Sequence, residues 1–218
     1  SVFGFGRGNY NDRDMEQMAN HGDGNYAFID SAAEADRVMV EGLGGVLQTI
    51  AKDVKIQVQV DPAHVARYRL IGYENRDIAD EDFRDDAVDS GEIGAGHSVT
   101  ALIELELREG SLPAAAPLAR VRVRYKAPDA AAQDPAEELA HTVTAEHVRG
   151  EMPEASAALR FAAAVAEFAE ILRESPHVGR ADLDAVQALA AGAARPGDPA
   201  MAEFLDLVRR ASDVVGGM

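Results

Sequence analysis

Two hydrophobic periods alternate along this chain, and their order divides it into three parts. Val2-Phe3-Gly4-Phe5-Gly6 is a short apolar run closed by glycines, the pattern of a buried parallel strand. Asn11 or Asp12 is placed to cap a short helix carrying Met15 and Met18, which Gly22 can end. Asn25-Tyr26-Ala27-Phe28-Ile29 predicts a second strand, and Ser31 with Glu34 has the spacing of a capping box. The helix it opens is expected over residues 32–51, with Ala35, Val38, Met39, Gly42, Val46 and Ile50 on one face. Gly42, Gly44 and Gly45 weaken it by roughly 1 kcal/mol each relative to alanine, which points to a kink or a close backbone approach. Strand, helix, strand, helix is the α/β rhythm, but two parallel strands cannot bury both faces of a sheet. Partner strands are therefore expected upstream of Ser1 or in another chain, a homodimer being one solution.

From Val54 the period becomes two. Val54, Ile56, Val58 and Val60 alternate with Lys55, Gln57 and Gln59, as in a half-buried strand with a wet polar face. Val65–Tyr73 is a second strand candidate. Val99, Ala101, Ile103, Leu105 and Leu107 oppose Thr100, Glu104, Glu106 and Arg108, and Val121, Val123 and Tyr125 oppose Arg120, Arg122, Arg124 and Lys126. Pairing these last two strands would set a glutamate row against an exposed arginine row, worth a few tenths of a kcal/mol per pair, about the usual cross-strand value. His141–Val148 is a further candidate. Loops rich in Ala and Pro are expected at residues 109–118 and 127–136, and an acidic loop over 74–92. The last third returns to helical spacing. Phe161, Val165, Phe168 and Leu172 follow Pro153, read as a first-turn residue. Asp182 and Gly192 bracket a second helix, and Asp198-Pro199 opens a third carrying Phe204, Leu205 and Val208. The fold class expected is α+β. A partial α/β segment spans residues 1–52, an antiparallel, sandwich-like β domain 53–150, and a helical region packing on it 151–218.

Composition narrows the function classes. The 218 residues allow one to two domains with a real core. A net charge of −17 opposes nucleic-acid binding, which needs cations to replace phosphate counterions, and opposes docking on anionic lipid. No cysteine is present, which removes thiol catalysis and thiolate zinc sites. No apolar run reaches membrane-spanning length.

Candidate chemistry is sparse. Asp77, Asp80, Glu81, Asp82, Asp85, Asp86, Asp89 and Glu92 crowd the acidic loop, and calcium takes six to eight oxygens. Their spacing is not that of the helix–loop–helix calcium motif, and its turn glycine is missing. Gly4, Gly6 and Gly8 lack the third glycine of the dinucleotide fingerprint, since Asn9 stands there. His97 and Ser98 are adjacent and would point to opposite faces of a strand, poor geometry for a base and its nucleophile. His21, His64, His141, His147 and His177 are scattered, none at His-Glu-x-x-His spacing.

Longer strings carry a resemblance. Gly4-Phe5-Gly6-x-Gly8-Asn9-Tyr10-Asn11-Asp12, Met15-Glu16-Gln17-Met18-Ala19-Asn20 and Gly22-x-Gly24-Asn25-Tyr26-Ala27-Phe28-Ile29-Asp30-Ser31 resemble the closing part of a bacterial von Willebrand factor type A domain. More narrowly, the chain is similar to the YfbK-like proteins. Ile50–Val58, Tyr68–Arg76, Gly91–Leu102, Phe161–Phe168 and Glu203–Val208 extend the match over nearly the whole chain. The resemblance implies a doubly wound type A domain holding a divalent cation through Asp-x-Ser-x-Ser and later Thr and Asp ligands. Those ligands would all precede Ser1, so no metal ligand or cofactor is assigned to this chain, and Mg²⁺ or a similar cation is expected only in the full-length protein. It also implies an exported or lipid-anchored place in the cell envelope. Asp198-Pro199-Ala200-Met201 departs from the family, lacking the Gly-Tyr-Arg that relatives tend to carry before Glu203.

The expected function is a non-enzymatic protein-interaction module at the tail of a metal-dependent type A binding protein. It would engage a protein partner through the arginine row Arg120, Arg122 and Arg124 or through the acidic loop. A calcium-stabilised structural domain using Asp80, Asp82, Asp85, Asp86, Asp89 and Glu92 is the alternative. A hydrolase pairing Glu92 or Asp86 with His97 ranks last.

Overall fold

A computed structural model describes residues 2–5, 11–22, 26–41, 48–72, 79–86, 88, 90–131, 133–179 and 182–216. Helices and antiparallel sheets together make an α+β fold. Two compact units interleave along the sequence: residues 1–62, 77–99 and 117–143 form one, residues 63–76, 100–116 and 144–218 the other. The stretch 53–150, expected as one antiparallel domain, is thus divided between them.

In the first unit, β1 (Val2–Phe5) pairs in parallel with β2 (Tyr26–Ile29), from Val2 opposite Tyr26 to Phe5 opposite Ile29. Helix α1 (Asp12–His21) lies between them in sequence, as a parallel pair requires a crossover. Its first turn is closed by the Met15 amide donating to the Asn11 carbonyl at 3.2 Å, and Gly22 follows its end as expected. Ala19 and Ile29 are buried. Ser31 caps α2 (Ala32–Asp36) by accepting from the Glu34 amide at 3.2 Å. The Glu34 carboxylate turns to the Arg37 guanidinium, so the expected box is half made. The backbone then passes into a π-helical turn over Arg37–Glu41. The helix expected to reach residue 51 gives way sooner, because β3 (Thr49–Val60) has already begun; Thr49 and Ile50 are β-branched and favour the strand. The glycines invoked for a kink lie outside the described residues.

β3 is central to a four-stranded sheet of order β5-β3-β7-β8, with β5 at Ile93–Gly94, β7 at Pro117–Lys126 and β8 at Glu137–Thr144. β3 and β7 are antiparallel, with Val60 opposite Ala119, Gln57 opposite Arg122, Lys55 opposite Arg124 and Lys52 opposite Lys126. The register shifts between Lys52 and Lys55, where Asp53 adopts φ 50°, the left-handed region that aspartate tolerates better than most residues. The fourth strand, expected at residues 141–148, ends at Thr144; the chain then turns through a 3₁₀ segment, Ala145–His147, whose His147 ring accepts from the Thr144 amide.

In the second unit, β4 (Val65–Ile71) pairs antiparallel with β6 (Leu102–Leu107), which starts three residues later than the alternation implied. The glutamate row of β6 therefore meets β4 and not β7. Arg69 lies opposite Glu104 at 2.7 Å, and Arg67 opposite Glu106 at 2.9 Å. β4 carries its own alternating arginines, while both neighbours of β7 are taken by β3 and β8. Helices α3 (Ala157–Leu172), α4 (Leu183–Ala191) and α5 (Pro199–Gly216) follow. Ser156 caps α3 by accepting from the Leu159 amide; Pro153 belongs to a separate 3₁₀ turn, Met152–Glu154. The helical core comprises Ala164, Phe168, Leu183, Val186, Ala190 and Val208, with Phe204 edge-on to Phe161 and Phe168 at 5.4 and 5.6 Å. Buried Glu170 accepts from Arg69 at 2.8 Å, from Ser175 at 2.7 Å and from Arg173, joining β4 to α3. No helix among the described residues is long and apolar enough to cross a membrane.

Candidate functional site

A pleated strand sends alternate side chains to opposite faces, so Lys55 and Gln57 of β3 share a face with Arg122 and Arg124 of β7. The sequence assigns that face to solvent. The structure assigns much of it to the interior. The Lys55 side chain is 0% exposed, Lys126 7% and Arg124 11%, while Ile56 on the opposite face is 56% exposed. The arginine row is accordingly not an exposed row: Arg120 stays open to solvent, and Arg122 and Arg124 are largely covered.

The cover is the acidic segment itself. Residues 80–84 form a 3₁₀ turn, in which side chains three apart eclipse, so Asp80 and Phe83 fall on one side. Phe83 is the buried anchor, 3% exposed. On one flank, Gln57 Nε2 donates to Asp80 Oδ1 at 3.0 Å. On the other, Asp86 meets Arg124 Nη2 at 2.6 Å and Lys126 Nζ at 3.5 Å. Between them the Asp85 carbonyl accepts from Lys55 Nζ at 2.6 Å, and Asp53 Oδ1 sits 3.1 Å from the same ammonium. Arg84 reaches Glu138 on β8 at 3.1 Å, and Glu138 also faces Arg122 at 3.7 Å. Farther on, the Val54 amide donates to the Gly91 carbonyl and Thr49 Oγ1 to Glu92 Oε2, both fastening the chain to β3. The hydrogen bond from Arg124 holds the Asp86 carboxyl below its ordinary pKa, with the charges of Arg124 and Lys126 adding to it. On β7, donation by the Tyr125 hydroxyl to Glu137 raises the phenol above its ordinary value.

This arrangement brings Asp80, Asp85 and Asp86 together with Arg122 and Arg124. Asp82 is half-buried on the same turn, while Asp77 and Asp89 lie outside the described residues. His97 is exposed on the turn after β5. Lys55, Gln57 and Lys126, legible in the sequence only as polar strand positions, join the site, as does Phe83, whose signal is one aromatic among carboxylates. Among the described residues no three His, Asp or Glu side chains gather as a metal site would need. The donor set is also wrong for a cation, since Asp86 already faces an arginine and a lysine. Among the described residues, no donor set for the divalent cation of a type A domain is gathered. What the site does offer is a covered cationic surface with polar capacity in reserve: Arg124 Nη1, Ser90 Oγ and Asp53 Oδ2 are buried without a hydrogen-bond partner among the described residues.

A family model described as "Uncharacterized protein YfbK, C-terminal" matches residues 45–214, from the approach to β3 nearly to the end of α5. The chain belongs to this YfbK C-terminal family. The uncharacterized protein YfbK of Escherichia coli (strain K12) is 36% identical over 233 aligned residues, covering 98% of the chain. The chain spans 39% of that relative's length, and the match extends over β1, α1 and β2 as well as the family region. No solved structure matches. The four-stranded sheet, its acidic cover, α3 and α4 lie inside the family region.

Proposed function

We propose that this chain is the closing part of a non-enzymatic protein-interaction protein. In this reading residues 1–52 complete a von Willebrand factor type A domain, and the sheet and helices that follow position or regulate its contacts. The observation that carries it is the parallel pairing of β1 and β2 around α1, the unit from which doubly wound sheets are built. Two such strands leave open edges, and Phe5 and Met18 are mostly exposed, as expected of a segment that finishes a larger sheet or a homodimer. The carboxylates considered for catalysis serve structural contacts, Asp86 with Arg124 and Lys126 and Glu92 with Thr49. Any divalent cation, Mg²⁺ or similar, belongs to the part of the full protein outside this chain, and the cell envelope is its proposed location.

The test is cross-linking capture of partners by the full-length protein, with Mg²⁺ and with chelator. Metal-dependent capture is the expected result. Equal capture under both conditions removes the type A binding role. Fractionation of cells into cytoplasm and envelope reads the location in the same preparation.

A further inference from the structure

We propose that the polar face of the β3–β7 ladder is a docking surface for an acidic, aromatic-anchored peptide segment of a protein partner, which the chain's own residues 80–86 occupy in cis. The proposal rests on the interaction reading above and names the surface that reading leaves open. Three features of the cis occupant define what the surface accepts. Asp80 and Asp86 flank Phe83 at equal spacing, three residues on either side. The first half of that spacing is a 3₁₀ turn, which stacks the carboxylate of Asp80 and the ring of Phe83 on one side. The two carboxylates meet matching features of the sheet, Gln57 for Asp80 and Arg124 with Lys126 for Asp86, and Phe83 between them is buried.

The surface is not used up by this occupant. Arg124 Nη1 is buried with no hydrogen-bond partner among the described residues, so a carboxylate placed to take both guanidinium nitrogens would bind better than Asp86 does. Asp86 is 40% exposed, which leaves the grip of residues 80–86 open to competition at that end. In a chain of net charge −17, a covered cluster of Lys55, Arg122, Arg124 and Lys126 is the local exception that an acidic partner could find. The tethered segment competes at a high effective concentration, so the surface stays closed until a partner outbids it or the tether's contacts weaken.

The probe is a labelled synthetic peptide of residues 79–86, titrated into the full chain by fluorescence anisotropy. Wild type should bind it poorly. Asp86→Asn, a change at an exposed position, should bind it about tenfold more tightly, the worth of one charge-assisted hydrogen bond removed from the cis competitor. Phe83→Ala with Asp86→Asn should tighten it further, because the peptide's ring refills the vacated anchor site. Adding Arg124→Gln, or using a peptide with alanine in place of Phe83, should cancel the gain. The peptide arm leaves the chain untouched, so it decides the matter even if the double variant does not fold. Equal affinities for wild type and Asp86→Asn, or a gain that ignores Arg124 and the peptide's phenylalanine, overturn the proposal. If peptide affinity fails this pattern while the full-length protein still captures partners, this surface is refuted and the interaction reading stands. Loss of partner capture with the peptide pattern intact has the opposite meaning.

Discussion

Lys55 shows how little a residue's type says about its surroundings. It occupies a polar position in an alternating strand, yet its ammonium is fully covered and held by the Asp85 carbonyl and Asp53. Truncation strands both partners, so Lys55→Ala should cost about 3 kcal/mol, within the range for breaking a buried ion pair. Urea unfolding of variant and wild type checks this. Lys55→Met should cost less, since the stem's packing is kept while only the charge is lost. Asp86 carries a pH dependence whose sign follows from its partners. Arg124, with Lys126, lowers its folded pKa below the unfolded value, so the contact is fully formed above the ordinary carboxylate range. It is lost as pH falls through the folded pKa. The Phe83 ring resonances should therefore shift as the solution is acidified below about pH 4, the ordinary aspartate value, and Asp86→Asn should abolish that step.

At the scale of elements, local signals are legible in the sequence and those that depend on pairing are not. Asp182 accepts from the Ala185 amide at 3.0 Å and Asp198 from the Met201 amide at 3.1 Å, the caps their positions implied. A cap is a contact between residues three apart, so the sequence holds all of it. Pro153 misled because a fixed φ suits several kinds of turn, and the side chain that closes α3 is Ser156. The apolar stripe of α3 was legible for the same reason as the caps: Phe168 falls on the face shared with Phe161 and packs against Phe204. Phe168→Ala should destabilise the helical unit by about 3–5 kcal/mol, the usual cost of emptying a buried aromatic site, measured by chemical denaturation. Strand limits were less legible. The alternation around β6 begins at Val99 but its ladder begins at Leu102, because pairing with β4 and not pattern decides where a strand starts.

For the whole molecule, the acidic segment is the feature with the widest consequences. Charge crowding alone fits a solvated loop, a calcium site or a docking strip. The structure gives three of the described carboxylates separate partners: Gln57 for Asp80, Arg124 and Lys126 for Asp86, Thr49 for Glu92. Millimolar Ca²⁺ should accordingly leave the melting temperature of the chain unchanged, since a ligand stabilises only what it binds. A rise with Ca²⁺ in a thermal melt would restore the calcium reading.

Legible in the sequence alone were the caps of α2, α4 and α5, the core stripe of the last helices, the α/β rhythm of the first residues, the main strands and the family. Each of these is written in neighbouring positions or in strings long enough to be distinctive. Which strands pair was settled by tertiary contacts, so that Glu104 and Glu106 meet Arg69 and Arg67, while Arg120 and Arg122 of β7 lie opposite Gln59 and Gln57 and Arg124 opposite Lys55. The tertiary structure alone decided that the polar face of β3 is covered and that its lysine is buried while Ile56 is exposed. Burial is a property of what folds over a strand, and the segment that does so here is joined to it through a separate strand of the second unit. Such closure depends on the free energy of the assembled surfaces and leaves no periodic trace in either segment.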